Sequence, residues 1–455
     1  MKLTITGLIL LLAATFGYSQ DSVVFKKISD EIMLNGKCYD DLRTLCKDVG
    51  HRLSGSVGAE KAVAWGQKAM IEAGADKVWL QPVDVPYWVR GKESLKFKFD
   101  GVKGETEVPV LSLGNSIGTD GKPLTGTVVM FNNFEEFEKA TDDDIKGKIV
   151  FFNYRFRQDL IHPFHGYGDA GPYRWRGPSI ASKKGAKALI IRSVSTGLDD
   201  FPHTGAMHYA DDVKPIPAVA IGNTSADMLE LKIKKGTATE ATITTECKMI
   251  GTKHSYNVIG EIKGSTYPNK YVVVGGHLDS WDVGDGAHDD GAGCVQSIEV
   301  IRAMKKLNIK PRYSVRAVLF MNEENGLKGG VAYDDSATAH GEEHIFALES
   351  DAGGFSPRGF GLAMDDYKKH QIKVYRELFV PYGVHDFEHS EGGADISPLH
   401  KHGVPASGLR PDPQRYFDLH HTNNDVFEQV NHRELKLGAV VMTQMIYLIS
   451  KYGLK

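Results

Sequence analysis

The sequence predicts an α/β fold, a mixed sheet flanked by helices and interrupted by a β-rich insert. Three observations carry that expectation. Apolar runs of strand length at Tyr271–Gly276, Ser314–Met321 and His344–Leu348 each end in histidine or acidic residues. Helical spacing follows the first of them in Val295, Ile298, Ile301 and Met304, and recurs near the C-terminus in Leu437, Val440, Val441, Met445 and Leu448. From about residue 112 the texture changes to short strands and turns, and it changes back near Cys247.

Taken in order, residues 1–19 combine Lys2, an apolar run from Leu8 to Phe16 and the small-residue end Gly17-Tyr18-Ser19. That pattern is a secretory signal peptide, which places the mature chain outside the cytoplasm, secreted or periplasmic, from Gln20. The alternative to that reading is a buried N-terminal helix. No later stretch approaches the ~20 apolar residues of a membrane span. Residues 22–48 read as two helices broken at Asn35-Gly36, and Gly58–Ala73 as a third. Arg52, in the turn between them, is a structural or pocket-wall residue. Lys77–Val83 reads as the first strand of the main sheet, so residues 20–112 and 250–455 form one interrupted domain around an insert at 113–249. Within the insert, Gly126–Phe131, Gly147–Asn153, Ala188–Arg192 and Ala218–Ile221 read as strands. The run Phe201–Tyr209, with His203 and His208, is either part of a lid over the cleft or a plain loop.

Composition narrows the function. With 41% hydrophobic and 25% charged residues, the 455-residue chain is of ordinary globular type. A net charge of −4 points to neither a nucleic acid nor an anionic membrane as partner. The four cysteines, Cys38, Cys46, Cys247 and Cys294, show no CxxC spacing, which excludes a disulfide-built scaffold but leaves room for one bridge. Cys294 reads as packed rather than reactive. GDG at 284–286 is not a dinucleotide loop, because Asp289 stands where the third glycine belongs, and HGEEH at 340–344 is not the HExxH zinc helix.

The chemistry lies at the strand ends. In an extended segment His277 and Asp279 face one side. Asp289 and Asp290 precede Gly291-Ala292-Gly293 at a helix start that favours negative charge. Glu323 and Glu324 follow the second apolar run, Asp351 the third, and His420-His421 stand near the C-terminus. Singly, these are a helix cap, a solvated acidic pair and a loop histidine. Together, at the carboxyl edge of one sheet, they are a metal-site set of imidazoles and carboxylates.

HLDSWDVGDGAHDDGAG, NEENG and HHTNND resemble the co-catalytic zinc exopeptidases of the aminopeptidase and glutamate carboxypeptidase type. The resemblance implies the zinc-exopeptidase fold, a peptide or dipeptide substrate, two zinc ions per chain and a homodimer. It also implies that the insert is a protease-associated domain. It places metal ligands on His277, Asp289, Glu324, Asp351 and His421, with Asp289 bridging, and the general base on Glu323. Two Zn²⁺ against three carboxylates leave one positive charge, which a bound hydroxide neutralises. Asp279 is expected to accept a hydrogen bond from the second nitrogen of His277. Asp290, Asp395, Ser397 and Tyr416 are candidates for the supporting shell or the substrate pocket. Some relatives carry a tyrosine directly before the ligand histidine; here His420 occupies that place, so either it or another donor steadies the oxyanion. A broad aminopeptidase, a non-catalytic binding protein on the same fold and a single-zinc glutaminyl cyclase-like acyltransferase are the alternatives. A free α-amino group needs a carboxylate near the metals and a free α-carboxylate needs Arg or Lys, and the sequence leaves both open.

Overall fold

The computed structural model describes residues 20–454, so the expected signal peptide lies outside the described residues. Strand β1 (Lys77–Val89) starts the main sheet. The chain then leaves for a second sheet through β2 (Glu93–Phe99), β3 (Thr106–Val108), β4 (Val110–Ser112), β5 (Leu124–Phe131), β6 (Ile149–Phe152), β7 (Ala188–Arg192), β8 (Ala218–Ile221) and β9 (Thr239–Thr245). It returns through β10 (Lys248–Ile262), β11 (Tyr267–His277), β12 (Tyr313–Phe320), β13 (Glu343–Glu349), β14 (Pro357–Ala363) and β15 (Ala406–Pro411).

The main sheet has seven strands in the order β1-β10-β12-β11-β13-β15-β14. Its four inner strands β12, β11, β13 and β15 run parallel, while β1, β10 and β14 pair antiparallel. This is the mixed α/β fold expected. Side chains alternate between two helical layers. Val272, Val274, Val315, Ala317, Leu319, Phe346 and Leu348 face the helices Ala292–Lys306 and His432–Tyr452. Val273, Val318, Phe320 and Ala347 face Tyr333 and Ala337 of helix Lys328–Ala339, and Leu399. Burial of each of these valine, leucine and phenylalanine side chains stabilises the fold by about 1.5–3 kcal/mol.

β1 runs past the expected Val83 because it pairs with β10 as far as Val89. It carries Pro82 and Pro86, which an edge strand tolerates. The change of sheet falls between Val89 and Glu93, well before the change of texture near residue 112. The alternating Leu95, Phe97 and Phe99 already belong to the core of the second sheet. That sheet has eight strands in the order β3-β2-β9-β5-β6-β7-β8-β4. It is less purely β than expected: β5 to β8 are parallel, and the helices Pro163–Trp175 and Gly177–Lys183 lie between β6 and β7.

All four cysteines are free and buried. The Cys294 thiol donates to the His277 carbonyl at 3.0 Å, as befits a packed rather than reactive residue. Among the described residues no helix is long and apolar enough to cross a membrane.

His344 lies on β13, and its Nε2 accepts a hydrogen bond from the Tyr333 hydroxyl at 2.9 Å. Burial, helped by the Arg316 guanidinium, lowers the imidazole to about 4. Between about pH 6.5 and 4 the unfolded chain binds a proton that the folded chain refuses, so stability falls as pH drops through that window. His344→Gln is expected to lose about 2–3 kcal/mol less than wild type when urea unfolding at pH 7 and pH 4 is compared. Equal losses would remove His344 from this account.

Candidate metal centre

Because β11 lies between β12 and β13 and runs parallel to both, the carboxyl ends of the three strands stand side by side. His277 ends β11, Glu323 and Glu324 follow β12, and Asp351 follows β13. Asp289 comes from the turn Ala287–Gly291 ahead of helix Ala292–Lys306. His421 arrives from the other end of the chain, just beyond the short helix Tyr416–Leu419.

The six residues meet. His277 Nε2 is 3.1 Å from Asp289 Oδ1 and 3.4 Å from Asp351 Oδ1. His421 Nε2 is 3.2 Å from Asp289 Oδ2 and 3.1 Å from Glu324 Oε2. Asp289 therefore stands between two histidine–carboxylate pairs and turns one oxygen to each. The Glu323 side chain faces the cavity beside them. Asp289 Oδ2 lies near His421 without hydrogen-bond alignment, and together with Glu324 Oε1 it is buried with no hydrogen-bond partner. Buried anionic oxygens left unpaired cost several kcal/mol. Oxygen and imidazole ligands at this density suit a small divalent cation, and zinc takes both.

The electrostatics have the same origin. Burial, then the repulsion of Asp351, Glu324 and Asp289, pushes the Glu323 carboxyl well above its usual range. Burial and Asp289 push Glu324 up to about 7. Against its own burial, His421 is raised to about 9 by Glu324 and Asp289. Asp289 is held well below the usual carboxylate range, its burial outweighed by His277 and His421.

Supporting groups fix these side chains. His277 Nδ1 lies 3.0 Å from the backbone carbonyl of Asp279, whereas the Asp279 carboxylate is 4.0 Å away. This corrects the expectation that the carboxylate orients His277: its Oδ1 instead accepts the backbone N–H groups of Asn322 and Glu323 at 2.7 and 3.0 Å. Asp279 thus sets the turn that presents the two glutamates. Asp290 accepts from the backbone of His277 at 3.0 Å and of Gly293 at 2.9 Å, which occupies both oxygens. Gly276 and Gly293 make room for it, since a Cβ on either would lie within 2.5 Å of an Asp290 oxygen. Asp425, which the sequence showed only as part of HHTNND, accepts from the backbone of His288 and Asp289 at 2.8 and 3.1 Å. Arg52 is wholly buried and donates to the carbonyls of Leu278, Asp285 and Gly286 at 2.6, 2.7 and 2.8 Å. Of its two sequence readings the structural one holds.

The second sheet supplies the opposite wall. His203 Nδ1 donates to the His420 carbonyl at 2.6 Å, Thr204 N to the His421 carbonyl at 3.0 Å and Ser195 Oγ to the Phe417 carbonyl at 2.8 Å. His421 is held at φ 65°, a left-handed conformation that costs a non-glycine residue roughly 1–2 kcal/mol. His203 is therefore a buried anchor, while His208 lines the cavity above the cluster with Tyr167, Arg174, Tyr416, His420 and Leu327. His420 stacks on His421 at 3.4 Å, its Nε2 3.7 Å from Asp289 Oδ2. Tyr416 is buried against it. A second cavity, lined by Glu349, Ala352, Gly393, Leu409 and Pro413, meets the first at Asp351 and Phe164. Asp395 lines neither. It is 1% exposed behind Gly393 and Ala394, which correct it as pocket-lining residues. Ser397 begins the helix Ser397–Lys401 and also lines neither. Tyr167 and Arg174 went unnoticed in the sequence because nothing in the insert links them to residues so distant in the chain.

The model of peptidase family M28 matches residues 257–446. The carboxypeptidase Q of Xenopus laevis is 34% identical over 435 residues, 94% of this chain and 89% of that protein. That of Homo sapiens is 32% identical over 414 residues, 91% and 85%. A crystal structure of a peptidase M28 precursor from Shewanella amazonensis SB2B superposes with a TM-score of 0.91 at 33% identity, covering 96% of this chain and 99% of that one. An aminopeptidase from Aneurinibacillus sp. strain AM-1, 22% identical with a TM-score of 0.63 over 94% and 96% of the two chains, shares the fold. The protein is a metallopeptidase. More particularly, it belongs to peptidase family M28, and its carboxypeptidase Q relatives match nearly the whole chain.

Arg52→Met leaves three buried carbonyls without donors. It is expected to lower the unfolding free energy by about 3–5 kcal/mol and to weaken metal retention, measured by urea titration and by dialysis against a chelator. A change below about 0.5 kcal/mol would show that the Leu278–Gly286 loop holds itself.

Proposed function

We propose that the protein is an exported di-zinc exopeptidase that hydrolyses dipeptides or short peptides. The observation behind this reading is the placement of Asp289, with His277 and Asp351 on one side of its carboxylate and His421 and Glu324 on the other. His277, Asp289 and Asp351 would hold one ion, and Asp289, Glu324 and His421 the other. Two zinc ions so held supply a lowered water pKa and polarisation of the peptide carbonyl.

The remaining work belongs to the chain. Glu323 takes a proton from the attacking water as its oxygen bonds to the peptide carbonyl carbon. It passes that proton to the amine nitrogen as the C–N bond breaks. His420 and Tyr416 line the cavity, and in this reading one of them donates to the oxyanion. The insert, which we read as protease-associated in type, closes the cavity through helix Pro163–Trp175. Export rests on the Leu8–Phe16 run and its small-residue end.

Glu323→Gln is expected to reduce turnover by roughly 10²–10⁴-fold with the metal content unchanged. Undiminished turnover would dismiss Glu323 as the base. Elemental analysis of zinc-supplied wild type is expected to find two ions per chain, and His421→Ala fewer. One ion in the wild type would overturn the co-catalytic reading.

A further inference from the structure

An imidazole that gives Nε2 to a cation keeps its proton on Nδ1, so it needs an acceptor on that side to fix its orientation. The two histidines of the cluster find that acceptor in different parts of the molecule. His277 Nδ1 faces the Asp279 carbonyl at 3.0 Å, within its own loop, and its backbone N–H donates to Asp290. Ser350, beside Asp351, donates from its hydroxyl to Gln296 at 2.8 Å and from its amide to the Gly275 carbonyl at 3.0 Å. These partners all belong to the main sheet and its helices. His421 Nδ1 instead faces the Thr204 carbonyl at 3.3 Å, and Thr204 lies in the insert. The Arg174 guanidinium, 3.4 Å from the same nitrogen, has no acceptor to offer.

The residues that hold His421 are themselves tied to the second sheet. The Thr204 hydroxyl donates to the Ser112 carbonyl at the end of β4 at 2.8 Å. The His203 amide donates to Ser193 Oγ at 2.8 Å, and that hydroxyl donates to the Ile221 carbonyl at the end of β8 at 2.7 Å. From this frame His203 Nδ1 reaches the His420 carbonyl. The ring is 2% exposed and its Nε2 meets no partner, so it serves that single bond. Asn115 of the insert likewise accepts from Asn325, the residue after Glu324, at 3.2 Å. Glu324 and His421 are thus the members of the cluster whose surroundings the insert supplies, whereas His277 and Asp351 are supported from the main sheet.

We infer that the insert sets the affinity of one metal position only, the one that Glu324 and His421 would complete, and that His203 is the positioning residue through which it does so. This rests on the two-zinc reading above and goes beyond it: one ion is held by the main sheet alone, the other only while the insert is docked. Linkage makes the effect reciprocal, so filling the second position tightens the insert against the main sheet.

The test starts from the zinc-loaded full-length protein, dialysed against a graded series of buffered free zinc, with bound metal read by elemental analysis. In His203→Leu one ion is expected to be held as in wild type and the other about 10–100-fold more weakly. His203→Asn, which keeps a donor for the His420 carbonyl, is expected to stay close to wild type. In His421→Ala, where that position is already lost, adding His203→Leu leaves the remaining ion as it was. Two ions held by His203→Leu as in wild type, or both weakened together, overturn the inference. Hydrogen exchange of amides 193–205 in wild type supplies a second readout that needs no variant to fold. It is expected to slow as the second ion is restored, and exchange indifferent to that ion overturns the coupling. A wild type that binds one ion at saturating zinc brings down the two-zinc reading itself, an outcome separate from the failure of His203→Leu to lose one of two.

Discussion

The mutual repulsion of acids crowded around Asp289 is the constraint on which the rest of the structure depends. Asp289, Glu323, Glu324 and Asp351 converge at the floor of one cavity, and two histidines alone do not balance them. Such a cluster is tolerable only if cations complete it and the backbone beneath it cannot relax. The surrounding fold meets the second condition with rigid parts: parallel strands that end together, glycines that admit the Asp290 carboxylate, and Asp279 and Asp425 clasping the turns that carry the reactive side chains.

Arg52 and the second sheet extend that logic outward. Arg52 ties three carbonyls of the loop following His277, so a residue remote from any substrate governs where the first histidine points. The second sheet holds the loop bearing the last histidine from the opposite side, through Ser195, His203 and Thr204. An apolar seam of Leu53, Trp88, Leu111, Trp281 and Val283 joins the two sheets below it. The cluster is thus clamped between two separately cored bodies rather than displayed on a surface.

Much of this was legible in the sequence. Apolar runs that end in acids place their residues at one sheet edge, and the metal-type residues named from HLDSWDVGDGAHDDGAG, NEENG and HHTNND do lie together. What was not legible depended on contacts between distant segments. The role of the Asp279 carboxylate was misjudged because period-two reasoning gives the side a residue faces, not which of its atoms is nearest. Whether Asp395 reaches the cavity is decided by its neighbours, not by its own identity. The beginning of the second sheet was placed late because Glu93–Ser112 differs in partner, not in composition, from β1.

The order in which the cluster is assembled along the chain has a consequence for biosynthesis. His277, Asp289, Glu324 and Asp351 emerge from the ribosome in turn, but His421 and the clasping Asp425 come close to the C-terminus. Folding during synthesis proceeds from the N-terminal side, so the wall formed by the second sheet stands before its counterpart exists. The cluster therefore comes together only after the segment bearing His421 and Asp425 has been made, well over a hundred residues behind His277 in synthesis.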